Sequence, residues 1–122
     1  MIEETIYTYL EQFASVPWSA MRSPATGDHA EINQGKYGLF EKTNSTKTDH
    51  VTTSTFAFQS YAPTLLEAAQ ISAELRQLIE ALPKTTTEVS RAQLMGEYNF
   101  TNTADKQPRY QAVFSLVHFE DF

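Results

Sequence analysis

The sequence predicts an α+β fold: an N-terminal helix, a β-hairpin, an amphipathic helix and a second β-hairpin, with an antiparallel or mixed sheet of about four strands packed on the helices. Three observations predict it. Apolar residues recur at helical spacing in two separate stretches. Between and after these lie runs rich in Thr, Phe and Tyr, which suit a pleated, half-buried surface. The third is the junction from Val51 to Leu82, where a strand turns directly into a helix. VTTSTFAFQSYA reads as the strand, and Pro63, with no N–H to donate, ends its pairing. Thr64 to Glu67 then form a T-x-x-E capping box, in which Thr64 accepts from the third helical N–H while Glu67 reaches back.

The first helix is expected over Glu3–Phe13, with Ile6, Tyr9, Leu10 and Phe13 on one face, acidic residues at its start and Pro17 marking its end. Val16 to Lys36, with Pro24, Gly27 and Gly35, has little periodicity and reads as a long loop, functional or mobile. Tyr37–Thr43 reads as a strand and Asn44–Asp49 as the loop returning it into Val51–Tyr61. In the second helix Ile71, Leu75, Leu78 and Leu82 form the apolar stripe, Ala68, Ala69 and Ala73 permit close packing on a sheet, and Pro83 stops it. Glu88–Phe100 is expected to be extended, with a bulge at Gly96. A polar loop, Thr101–Pro108, leads into the last strand, Arg109–Phe119. There Tyr110, Ala112, Phe114 and Leu116 share one face and Val113, Val117 and Phe119 the other. The second face either meets a neighbouring subunit or is covered by its own chain.

Composition narrows the function. The 122 residues make one domain, spanning 1–122, and without cysteine there is no disulfide, thiolate nucleophile or zinc–thiolate site. The net charge is −6, and Arg22, Lys36, Lys42, Lys47, Arg76, Lys84, Arg91, Lys106 and Arg109 are scattered singly. Tight binding of duplex nucleic acid needs several of these on one face. Apolar runs are too short to span a membrane, and the acidic N-terminus does not read as a signal peptide, so a cytoplasmic setting is the expectation. His29, His50 and His118 lack metal-ligand spacing, and surface or loop positions are expected for them. No serine sits in a nucleophile motif and no glycine-rich phosphate loop is present. No catalytic, metal or cofactor site is therefore assigned, and the chain is not expected to be an enzyme. Trp18 has two readings, an anchor for a partner or a plug for one end of the core. The same choice faces Phe56, Phe58, Tyr61, Tyr98, Phe100, Tyr110 and Phe114.

Three stretches together carry a resemblance: Glu41 to Thr43 (EKT), Thr55 to Leu75 (TFAFQSYAPTLLEAAQISAEL) and Asn99 to Phe119 (NFTNTADKQPRYQAVFSLVHF). In order and spacing they resemble the tail terminator, or tail completion, proteins of long-tailed bacteriophages and prophages, a family also known as minor capsid or tail-component proteins. Gln59, Ser60, Tyr61 and Ala62 match the family's Gln-Ser-Tyr-Ala strand end, and Arg109, Tyr110 and Gln111 its closing Arg-Tyr-Gln strand. Val16-Pro17 is present, but the stretch from Trp18 to Lys36 is longer and more polar than the family's passage into its first hairpin.

The resemblance implies a structural role in the virion tail, assembled in the host cytoplasm. Members form a ring, commonly a hexamer, that caps the head-proximal end of the tail tube and joins it to the head. Implied partners are further copies of the chain, the tail-tube protein and a head-completion or connector protein. DNA would pass through the lumen without specific binding, and acidic character suits that, because a negative lumen repels phosphates. The candidate assembly residues are Gln59, Tyr61, Arg109, Tyr110, Gln111 and Trp18. Two other readings stand beside it: another head–tail connector or head-closure protein, and a small α+β enzyme or ligand-binding domain.

Overall fold

The computed structural model describes residues 2–20, 35–101 and 107–119. Helix α1 (Ile2–Phe13) is followed by strands β1 (Trp18–Ala20), β2 (Tyr37–Thr48) and β3 (Val51–Tyr61), helix α2 (Leu65–Glu80), a one-turn helix α3 (Leu82–Thr85), and strands β4 (Val89–Asn99) and β5 (Arg109–Phe119). The fold class is α+β. Among the described residues the sheet has five strands rather than four, in the order β1-β2-β3-β5-β4, and β1 makes it mixed by pairing in parallel with Gly38–Phe40 of β2. The remaining neighbours are antiparallel, and α2 carries the chain from β3 over β5 to β4.

The strand-to-helix junction forms as its residues dictate. The Glu67 N–H donates to Thr64 Oγ1 at 3.2 Å, and the Thr64 hydroxyl donates to Glu67 Oε1 at 2.9 Å. These bonds, with Lys36 at 3.2 Å, hold the Glu67 carboxyl below its ordinary range. At its far end α2 closes at Glu80, and Pro83 sits in the first turn of α3, where no N–H is needed.

Two expectations about loops are corrected. Asn44–Asp49 is not a loop: β2 runs on to Thr48, and the turn is made by Asp49 and His50, both at positive φ (51° and 71°). That pair of angles is what a two-residue turn needs to match strand twist, and it lets the polar end of β2 pair residue for residue with the Thr-rich start of β3. The long irregular stretch likewise contains a strand, β1. Its remainder, residues 21–34, and residues 102–106 of the polar loop lie outside the described residues. The bulge expected at Gly96 is present, as a register shift between Leu94 and Gly96.

Alternation assigns the sheet two faces. Phe40, Phe56, Phe58, Ala112, Phe114 and Leu116 point to the side covered by α1 and α2, with Ile6, Leu10, Ile71, Leu75 and Ile79 packed on them. Each of the four buried Phe rings contributes about 1.5–3 kcal/mol of apolar burial. Phe58 lies at the centre, 5.8 Å from Phe40 and 6.0 Å edge-on to Phe114. His118 also points inward and is buried, with Nε2 2.8 Å from Ser54 Oγ, against the expected surface position. Its even place in β5, in step with Phe114 and Leu116, is the cause.

Candidate functional site

The opposite face carries the odd positions of β3 and β5, and here most of the sequence-selected residues meet. β3 and β5 pair with Gln59 opposite Gln111 and Tyr61 opposite Arg109. Side chains on this face follow one another in a chain of donors. Arg109 Nη1 donates to the Tyr61 hydroxyl (3.2 Å), and that hydroxyl donates to Gln59 Oε1 (2.8 Å). Gln59 Nε2 donates to Gln111 Oε1 (2.9 Å), and Gln111 Nε2 to the Tyr98 hydroxyl (2.6 Å). Every bond runs in the same sense, so each polarises the next, and the chain ends on an exposed phenol.

Aromatic rings brace the same residues. Tyr37 and Tyr61 stack with centroids 4.7 Å apart, and the Arg109 guanidinium lies 5.6 Å from the Tyr61 ring and 5.0 Å from Phe100. Its Nε also donates to the Phe100 carbonyl at 2.7 Å, while Phe100 meets Tyr98 edge-on. Gln107 joins through the Tyr37 hydroxyl (3.2 Å). Gln59, Tyr61 and Gln111 are buried, whereas Tyr98 and Phe100 are 44% and 38% exposed. A polar network seated inside an aromatic cradle therefore opens on one side to two aromatic rings.

Two of the selected residues stand elsewhere. Tyr110 takes an even position of β5 and packs, partly buried, against the helix-side core. Trp18 is buried in that same core, edge-on to Phe58 at 6.1 Å, with its six-membered ring over Gly38. Of its two readings, the core plug is the one its burial matches. Tyr37 and Gln107 are not among the sequence candidates, and Tyr98 and Phe100 stand there as aromatics belonging either to the core or to a partner contact. Strand alternation points to Tyr37 and turns Tyr98 outward, because both share the face of Gln59 and Gln111.

Other polar clusters are inward or shallow. Ser45, Ser54 and His118 form a hydrogen-bonded row, but Ser54 is fully buried, so the row joins strands rather than meeting a ligand. A groove of about 570 Å³ between α1 and α3 is lined by Thr5, Thr8, Tyr9, Phe13, Leu82 and Thr85. Tyr9 donates from its hydroxyl to the Leu78 carbonyl (2.8 Å), and burial pushes its phenol pKa up. No group of metal-ligating side chains converges among the described residues, and no described helix is long and apolar enough to cross a membrane. Comparison with known proteins finds no matching family model and no similar curated sequence.

Proposed function

We propose that this chain is a tail terminator: a structural protein that assembles as a ring on the head-proximal end of a phage tail tube, halts tube growth and forms part of the joint to the head. One observation carries the reading. Two of the motifs that carry the resemblance, around Gln59–Tyr61 and Arg109–Gln111, come from strands separated by the whole of α2 and β4, yet they interlock in one hydrogen-bonded patch. That patch lies on the sheet face opposite the helices and offers Tyr98 and Phe100 to a partner. Aromatic rings held by a rigid network suit protein contact, because they bring large area with little rotamer entropy left to lose.

The net charge of −6 supports a channel past which DNA slides without being held. In this reading the partners are other copies, the tail-tube protein and a head-completion protein, and no catalysis is involved. Gel filtration with light scattering over a range of concentrations, followed by negative-stain imaging with and without purified tail tubes, tests it. Closed rings, free or seated on one tube end, are expected. A monomer that leaves both tube ends bare would overturn the reading.

A further inference from the structure

The sheet ends in two edges of matching form. Among the described residues β4 pairs only with β5, and β2 has no partner beyond Phe40 on the side that β1 occupies from Gly38 to Phe40. Arg91–Tyr98 and Glu41–Thr48 are thus stretches of equal length, each with one row of backbone groups that no described residue pairs. Unpaired edges are templates for another strand, and natural sheets blunt them unless they are used.

From the structure we infer that the partner of β4 is the distal half of β2 in a second copy of this chain, joined head to tail. The inference rests on the ring-forming reading above and names the contact that closes it. Strand polarity favours it: β2 and β5 run one way and β3 and β4 the other. A copy rotated into place beyond β4 therefore presents β2 antiparallel to it, continuing the ladder unbroken. A heterologous contact of this kind is what a closed ring requires.

Bulges and charge select the register. β2 has a register shift between Lys42 and Asn44, and β4 one between Leu94 and Gly96. With Glu97 set opposite Lys42 of the next copy, bulge meets bulge, and inward- and outward-facing residues agree along the whole contact. Leu94 then lies opposite Ser45, Gln93 opposite Thr46 and Arg91 opposite Thr48. A shift of two residues one way sets all of Glu97–Asn99 against the stretch of β2 that β1 already pairs, where the selected register brings only Asn99 there, and the other way sets inward-facing Glu97 against outward-facing Asn44. Opposite charges also meet in the selected register. Lys42 is already 3.1 Å from Glu3, and Glu97 2.8 Å from Arg76, so the new pair would extend both into one row of alternating sign across the joint.

The chain has no cysteine, which makes the test clean. Gln93→Cys and Thr46→Cys place two exposed thiols opposite each other at the joint, within disulfide reach if the pairing holds. Inside one chain the same positions are three strand spacings apart, roughly 14 Å, and cannot bridge. Mild oxidation of the full-length double variant, free and with tail tubes, should give a ladder of covalent multimers ending in one closed species. Each single variant should stay uncross-linked. Dimers from Gln93→Cys alone would show β4 pairing with itself and overturn the inference. Rings seen by light scattering without a ladder would overturn the edge contact while leaving the ring intact. Neither ladder nor ring, free or on tubes, would overturn both.

Discussion

Arg109→Ala separates architecture from function at the patch. The truncation removes the 2.7 Å bond to the Phe100 carbonyl, the 3.2 Å bond to the Tyr61 hydroxyl and two ring contacts at 5.6 and 5.0 Å. The site is part-exposed, so each charged hydrogen bond is worth about 0.5 kcal/mol, and each cation–π contact about the same. The loss totals roughly 2 kcal/mol, and no buried group is stranded, because Tyr61 still donates to Gln59. Against a stability of about 5–15 kcal/mol the variant stays folded. Thermal unfolding by circular dichroism should show the midpoint lowered by about 6–10 °C. Ring formation and tail capping should fail at temperatures where the monomer is intact. Arg109→Lys keeps the charge but not the fork, and should recover less than half of both losses. An unfolded Arg109→Ala monomer would make the residue architectural and refute the reasoning. An unchanged midpoint would equally refute it, by showing that the network does not hold Arg109 in place.

Gly38→Ala should destabilise the chain by about 3 kcal/mol, since an added Cβ would lie 2.3 Å from the Trp18 indole, which has nowhere to move. Denaturant unfolding followed by emission of the single Trp checks this, with a red shift if the indole is displaced. Gly96→Ala is its opposite: a Cβ there meets nothing within 4 Å, so the unfolded chain loses freedom at no native cost, and stability should rise by about 0.5 kcal/mol. The Thr64 hydroxyl and Lys36 hold the folded-state pKa of Glu67 below its ordinary value of 4.5. The carboxylate therefore contributes stability above that value and loses it as pH falls through the lower folded-state pKa. The difference in melting temperature between wild type and Glu67→Gln should be full at neutral pH, begin to shrink below 4.5 and vanish only once the pH lies below the lowered folded-state value.

What could be read in the sequence divides along local and non-local lines. The junction at Val51–Leu82, the closing strand and the bulge at Gly96 are written in local chemistry, namely a proline, a capping box, alternation and a glycine. β1 is not: three residues, Trp18–Ala20, gain strand character only from parallel pairing with β2, across a long stretch of intervening chain. The distal half of β2 was hidden by its composition. Asn, Ser, Thr and Lys read as loop, yet here they pair with an equally polar β3. The available signal was the short Asp49-His50 turn, which leaves room for a full-length strand on each side.

At the site, Gln59, Tyr61, Arg109 and Gln111 converge because odd positions of two antiparallel strands share a face. The same alternation sends Tyr110 and His118 inward, and applied strictly to the sequence it excludes Tyr110 from the patch and places His118 beside Leu116. Trp18 could not be resolved from sequence, since its burial depends on Gly38 arriving from another strand to leave room for the ring.

The most direct test of a terminating role is the length of tail tubes grown in the presence of this protein. Purified tube subunits would be polymerised with rising amounts of the chain and their lengths measured by electron microscopy. The account predicts that mean tube length falls as the protein increases, with a ring on one end of each tube, and that Arg109→Ala restores the original lengths. Tubes of unchanged length and bare ends at every concentration would contradict it.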